Sequence, residues 1–297
     1  MALVSVNATE TGWESGTPLG PALQALPHGA AVTIMIHGFR FSPWDAANTP
    51  HAHILSLAPR RDCWKAVSWP RHLRLHRAGA GLGIGFGWHA RGSLTRVAQR
   101  AFGVGGSLAN MIREIKRMRG DLRVNILAHS LGARVALAAV AELPARHVDR
   151  LILLSGAEYR GLARAAIDTP AGRTAQVLNV TSGENAVFDA IFRLAVPAPT
   201  LGDWPLSAGL RDAPGWVDLR VDCGEALGVL RGLGIHTRAP ATRVCHWSTY
   251  LRPGLFTLYR GVFDPEQPDL LPRLAASLPR DARETAPRRR AARLSPL

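Results

Sequence analysis

Lysine is almost missing from this 297-residue chain: Lys65 and Lys116 are the only two, so arginine supplies nearly all of its 36 basic residues. Acidic residues are also scarce, 22 in all, which leaves a formal charge of +14. A basic balance of that size can mark nucleic-acid binding. Its make-up points elsewhere, because arginine in place of lysine beside abundant Ala, Gly and Pro is what a GC-rich coding sequence writes whatever the function. No nucleic-acid partner is expected, and the charge leaves one use open, peripheral contact with an anionic membrane surface. Cysteine is rare as well. Cys63, Cys223 and Cys245 are odd in number and far apart, which excludes a disulfide framework or a zinc ribbon and fits a reducing, cytoplasmic location. No apolar run approaches the roughly 18 uncharged residues of a membrane-spanning helix. Met1 to Pro27 has no basic start followed by an apolar core, so it does not read as a signal peptide. A hydrophobic fraction of 47% against 20% charged residues excludes wholesale disorder.

What is present is an alternation. Short aliphatic or β-branched runs at Val32–Ile36, Lys65–Trp69, Val124–Ala128, Leu151–Leu154, Val177–Thr181 and Val217–Val221 read as strands covered on both faces. Between them, Leu108, Met111, Ile112, Ile115 and Met118 recur at helical spacing, and Leu131–Leu143 forms a second helix stopped by Pro144. Strands alternating with helices predict an α/β fold on a mainly parallel sheet. Residues 1–27 are expected to be an N-terminal extension, 28–278 the α/β domain, and 279–297 an arginine-rich, disordered tail. The stretch Gly79 to Gly87 has neither G-x-G-x-x-G nor G-x-x-x-x-G-K, so it reads as a flexible surface loop and not as a phosphate cradle.

Two segments carry chemistry. In Val124-Asn125-Ile126-Leu127-Ala128-His129-Ser130-Leu131-Gly132, an apolar strand runs into a serine and a helix starts at once. Ala128 and Gly132, two residues either side of Ser130, leave room for a sharp turn that lifts the hydroxyl to its tip above a helix N-terminus. A serine that merely caps a helix needs no such company. Upstream, Val32–Ile36 ends in His37-Gly38-Phe39, where Gly38 allows close approach of the backbone.

The elbow around Ser130, with Ala128 in place of the usual first glycine, and the His-Gly loop before it resemble the α/β-hydrolase superfamily, in particular its serine esterases and lipase-like members. The resemblance spans about residues 32–258. It implies an α/β-hydrolase fold with no large cap domain, and a triad in the chain order serine, acid, histidine. It also implies an oxyanion hole made by the N–H groups of Phe39 and Leu131, with His37 structural. His246, in Val244-Cys245-His246-Trp247-Ser248, fits the family's histidine loop better than His236. The family's acid usually stands two to four residues beyond Val177–Thr181, where Glu184 is the first choice; Asp189, one helical turn further on, is the second, and Glu158, one strand earlier, a third. Phe39, Phe41, Trp44, Trp69, Trp88 and Trp247 are candidates for an apolar acyl pocket, and gating is expected from residues 71–106. The implied activity is cleavage of a small-molecule carboxylic ester through a covalent acyl-enzyme, with no metal or organic cofactor. Two other readings are a catalytically silent binding protein of the same fold and a basic protein that binds anionic surfaces.

Overall fold

The computed structural model of the chain describes residues 3–60, 63–210 and 212–279. Eight strands form a single sheet: β1 (Leu3–Ala8), β2 (Trp13–Ser15), β3 (Ala31–Ile36), β4 (Leu82–Gly87), β5 (Arg123–His129), β6 (Arg150–Leu154), β7 (Gln176–Thr181) and β8 (Trp216–Arg220). Their spatial order is β2-β1-β4-β3-β5-β6-β7-β8. The β1–β2 pair is antiparallel and every other pairing is parallel. The alternation predicts this mainly parallel α/β sheet, and the resemblance implies its α/β-hydrolase arrangement.

Strand composition explains the layering. In β6, Leu151 and Leu153 pack into a core on one face while Ile152 and Leu154 pack into a second core on the other. Both faces are apolar because helices cover both, as a parallel sheet requires. The helix Leu94–Met118 starts fourteen residues before the predicted Leu108, with Ser93 as its cap. Gly103, Gly105 and Gly106 hide its first half from propensity arguments. Gly105 has a packing reason to be there: a Cβ at that position would lie 2.5 Å from the Cβ of Ala138 on the neighbouring helix Leu131–Glu142.

Four expectations need correction. Residues 1–27 are not an extension, because β1 lies inside the sheet between β2 and β4. The run Lys65–Trp69 is not a strand; Trp69 begins a one-turn helix capped by Ser68, and Pro70 in that first turn lacks the N–H a ladder needs. The stretch Gly79 to Gly87 is no surface loop. It contains β4, every residue of which is buried. Its large residues Leu82, Ile84 and Phe86 fill one core, and the alternate glycines let the other face approach its neighbours. A Cβ on Gly87 would lie 2.7 Å from Asn7 Oδ1 and 2.8 Å from His51 Nε2. The glycines serve close packing, not flexibility. Within 71–106, β4 and the start of the helix Leu94–Met118 are scaffold, and Leu94 is the residue of this span that lines the cavity described below. The tail from 280 onward lies outside the described residues.

Candidate active site

The C-terminal ends of β3, β5 and β7, with the loop before the short helix Ser248–Leu251, meet at one edge of the sheet, the edge where open α/β sheets place their ligands. Ser130 stands between β5 and the helix Leu131–Glu142 at φ 55° and ψ −124°, a left-handed conformation that favours glycine. The elbow is tight on both sides. A Cβ on Gly132 would sit 2.6 Å from the His37 carbonyl oxygen and 2.7 Å from that of Ile36, and one on Gly38 would sit 2.8 Å from Ser130 Cβ. The small residue two positions after the serine thus makes room for the end of β3. A non-glycine residue in such a conformation is typically strained by about 1–3 kcal/mol. Ser130→Gly should therefore be more stable than Ser130→Ala by roughly that amount, since both lose the hydroxyl and only glycine relieves the backbone. Equal midpoints in denaturant for the two variants would refute the strain.

His246 lies 2.8 Å from the Ser130 hydroxyl through Nε2, and 2.5 Å from Asn185 Oδ1 through Nδ1. The Asn185 amide in turn donates to Asp189 Oδ1 at 2.9 Å. These bonds define one consistent set of protons: the serine hydroxyl donates to Nε2, Nδ1–H donates to the amide oxygen, and the amide NH2 donates to the carboxylate. Burial, reinforced by coupling to the neighbouring His129 ring and by the positive charge of Lys65, holds the His246 pKa well below the ordinary 6.5. Burial lifts the Asp189 carboxyl to about 6, against its hydrogen bonds with Ser207 and Asn185.

The structure brings Ser130 and His246 within hydrogen-bond distance, and none of the three candidate carboxylates meets the imidazole. Glu184 does not face His246. Its carboxylate is buried against Arg252, with Ser182 at 2.9 Å and Thr242 at 2.8 Å. Asp189 touches Asn185 and not the imidazole. Glu158 is committed to a buried bidentate pair with Arg134, at 2.8 and 2.6 Å. The side chain that meets Nδ1 is Asn185, one residue beyond the first choice, because the turn Gly183–Asn185 points successive side chains in different directions. The signal that could have found it is its position at the same distance past β7. His236 is exposed on the loop after the helix Gly224–Gly232 and takes no part.

Two further histidines prepare the ground. His37 is fully buried; its Nδ1–H donates to the Gly38 carbonyl at 2.8 Å and its Nε2 accepts from the Trp88 N–H at 3.0 Å. Desolvation drops its pKa to about 3, so it is a neutral brace for the loop after β3. His129 donates through Nε2 to the His246 carbonyl at 3.1 Å, and burial lowers its pKa to about 4. It ties the histidine loop to the elbow.

The serine opens on a cavity of about 580 Å³ whose walls include Gly38, Phe39 and Leu131. Leu131 is the first residue of its helix, so its N–H has no intrahelical acceptor. Among the candidate aromatics, Phe39, Phe41 and Trp247 line this cavity. Trp69 and Trp88 are core residues with no exposure, and Trp44 is 56% exposed. Phe188, Ile191, Phe192 and Tyr250 complete the apolar wall. Phe188 stacks on the His246 ring at 4.7 Å, and the Lys65 ammonium lies 3.5 Å over the Trp247 ring. Among the described residues, no group of three or more His, Cys, Asp or Glu side chains is placed to hold a metal ion. Nor is any helix there long and apolar enough to cross a membrane.

A family model described as alpha/beta hydrolase of unknown function (DUF900) matches residues 22–156, the span that holds β3 to β6 and the elbow. Among solved structures, the chain is similar to phospholipase PlaB from Legionella pneumophila in complex with thio-NAD, at 11% identity and a TM-score of 0.43. That match covers 86% of this chain but only 62% of the phospholipase. A lipase-esterase related protein from Clostridium acetobutylicum matches at 10% identity and a TM-score of 0.33, over 69% of this chain and 93% of its own. A search of curated proteins found no match.

Proposed function

We propose that this α/β hydrolase is a serine hydrolase that cleaves a carboxylic ester through a covalent acyl-enzyme, with Ser130 as nucleophile, His246 as base and Asn185 as the group that orients it. The observation that carries the reading is the continuous chain of hydrogen bonds Ser130–His246–Asn185–Asp189, which begins at a strained elbow and opens on an apolar cavity. Ser130 Oγ attacks the ester carbonyl carbon while its proton passes to His246 Nε2. The carbonyl oxygen becomes an oxyanion, for which the N–H groups of Phe39 and Leu131, both in the cavity wall, are the proposed donors. His246 returns the proton to the leaving alcohol, and the acyl group stays on Ser130. Water, deprotonated by the same imidazole, then releases the acid.

An amide oxygen in the third place fixes the Nδ1–H tautomer without a full negative charge beside the imidazolium. The Asp189 carboxylate, one hydrogen bond further out, supplies that charge at a distance and fixes which way the amide points. The cavity's aromatic and aliphatic wall suits an acyl chain. Free thiols at Cys63, Cys223 and Cys245 are consistent with a reducing, cytoplasmic setting.

The direct test is labelling of the full chain with a fluorophosphonate probe, alongside turnover of p-nitrophenyl esters of increasing acyl length. Labelling confined to Ser130 and turnover that varies with acyl length support the reading. No labelling and no turnover of any ester would favour a silent binding protein of this fold, the reading that the neutral Asn185 keeps open.

The pH dependence follows from the site. A base works in its neutral form, so a His246 pKa held well below 6.5 moves the acid limb of kcat/KM below that value. Lys65→Gln removes a nearby positive charge and should move the limb upward. Asp189, at about 6, adds a shallower inflection as its carboxylate protonates and holds the amide less firmly, and Asp189→Asn should remove it. A single limb at the ordinary histidine value in all three proteins would contradict this account.

A further inference from the structure

The helix Ala186–Ala195 is a partition with a cavity on each side. Phe188, Ile191 and Phe192 face the serine's cavity. Ala186, Ala190 and Arg193 face a second one of about 430 Å³, and Asp189 is the one residue that lines both. The chemistry of the second cavity is different. Three guanidinium groups, Arg160, Arg193 and Arg220, line it, and Asp189 is the only carboxylate that does. Arg220 is engaged by Asp222 at 2.9 Å. Arg193 lies over the Trp204 ring, 4.6 Å from its centroid. Arg160 Nε and Thr181 Oγ1 are both buried and make no hydrogen bond among the described residues. Asp218 feels the Arg160 charge but already accepts from Asn179, Trp216 and the Leu210 N–H.

Buried donors without acceptors are costly, and a site that holds two of them beside surplus positive charge is matched by an oxyanion that accepts from both. Ser182 and Ser207 also line it, and the apolar part of the wall, Pro205, Ala208 and the Trp204 indole among it, would contact the body of such a ligand. We propose that this second cavity binds a small phosphomonoester, its phosphate held by Arg160, Arg193 and Thr181 and its organic substituent against Trp204. The site is argued from the cavity alone and stands whether or not Ser130 hydrolyses esters.

The test is titration calorimetry of the full chain with phenyl phosphate, inorganic phosphate and phenol. Phenyl phosphate should bind more tightly than inorganic phosphate, and phenol should give no saturable heat. Arg193→Gln, an exposed position whose change leaves the core intact, and Arg160→Gln, checked for folding by its melting temperature, should each weaken phenyl phosphate by about tenfold or more, the loss of one charged hydrogen-bond partner. Asp189→Asn should tighten it, because the one carboxylate facing the phosphate becomes neutral. Lys65→Gln, in the serine's cavity, should leave it unchanged. Absence of saturable binding by the natural chain would overturn the proposal. So would a loss of binding in Lys65→Gln with both arginine variants unaffected, which would move the anion to the other side of the partition. An ester-hydrolysis failure leaves every one of these readouts intact.

Discussion

Ser130→Ala should lower kcat for a short p-nitrophenyl ester by about 10⁴–10⁶-fold, with KM changed little, and should abolish fluorophosphonate labelling. The magnitude follows from the division of labour at the elbow. The hydroxyl is the atom that forms the covalent bond, and without it only the cavity and the two N–H donors remain to favour attack by water. His246→Ala should cost a similar factor, because the 2.8 Å bond from the serine to Nε2 is the sole route for its proton. The double variant should be hardly worse than either single one, since the two groups act as a unit. Substrate binding survives because the apolar wall is untouched. A Ser130→Ala protein that retains a tenth of the natural kcat would place the chemistry elsewhere. Folding is not at issue: alanine keeps the strained backbone that serine already tolerates.

The second large effect concerns two adjacent residues with opposite consequences. Glu184→Ala should cost about 3–5 kcal/mol of stability, because it strands the Arg252 guanidinium in a buried site with no counter-charge. Removing Glu184 also takes the acceptor from Ser182 and Thr242. Asn185→Ala should leave the denaturation midpoint nearly unchanged yet lower kcat by roughly 10²–10⁴-fold, because nothing then fixes the Nδ1–H tautomer of His246; the upper figure is the cost of a wrong tautomer in the Ser-His-Asp template. Asn185→Asp should keep substantial activity and raise the His246 pKa, since a carboxylate favours the imidazolium. Denaturant titration and steady-state kinetics on the three proteins separate the outcomes. A stable Glu184→Ala protein with lost turnover would restore Glu184 as the orienting group and refute Asn185.

Much of this molecule was readable before any coordinates. The strands at Val124–Ala128, Leu151–Leu154 and Val177–Thr181 are written in continuous apolar runs, because both faces of a parallel sheet are covered. The elbow was readable for a related reason: a strand, a serine flanked at two residues by small side chains, and a helix allow few backbone paths. His246 followed from the resemblance, whose histidine loop it fits better than His236. What hid the edge of the sheet was glycine. In β4 the alternate residues are glycines selected by close neighbours such as Asn7 and His51, and in sequence that pattern looks like flexibility. Propensity describes a residue's own preferences and carries no information about who will stand against it.

The orienting group failed for a different reason. Glu184 and Asn185 are adjacent, and the sequence places both at the right distance past β7. Which one turns toward His246 depends on the direction of each side chain in a short 3-10 turn and on Arg252, which arrives from 68 residues away to claim the carboxylate. The sequence by itself determined the sheet's centre and the elbow that carries Ser130, since these rest on local pattern. Only the tertiary structure decided that a neutral amide faces the imidazole, because that choice is an electrostatic competition between groups distant in the chain.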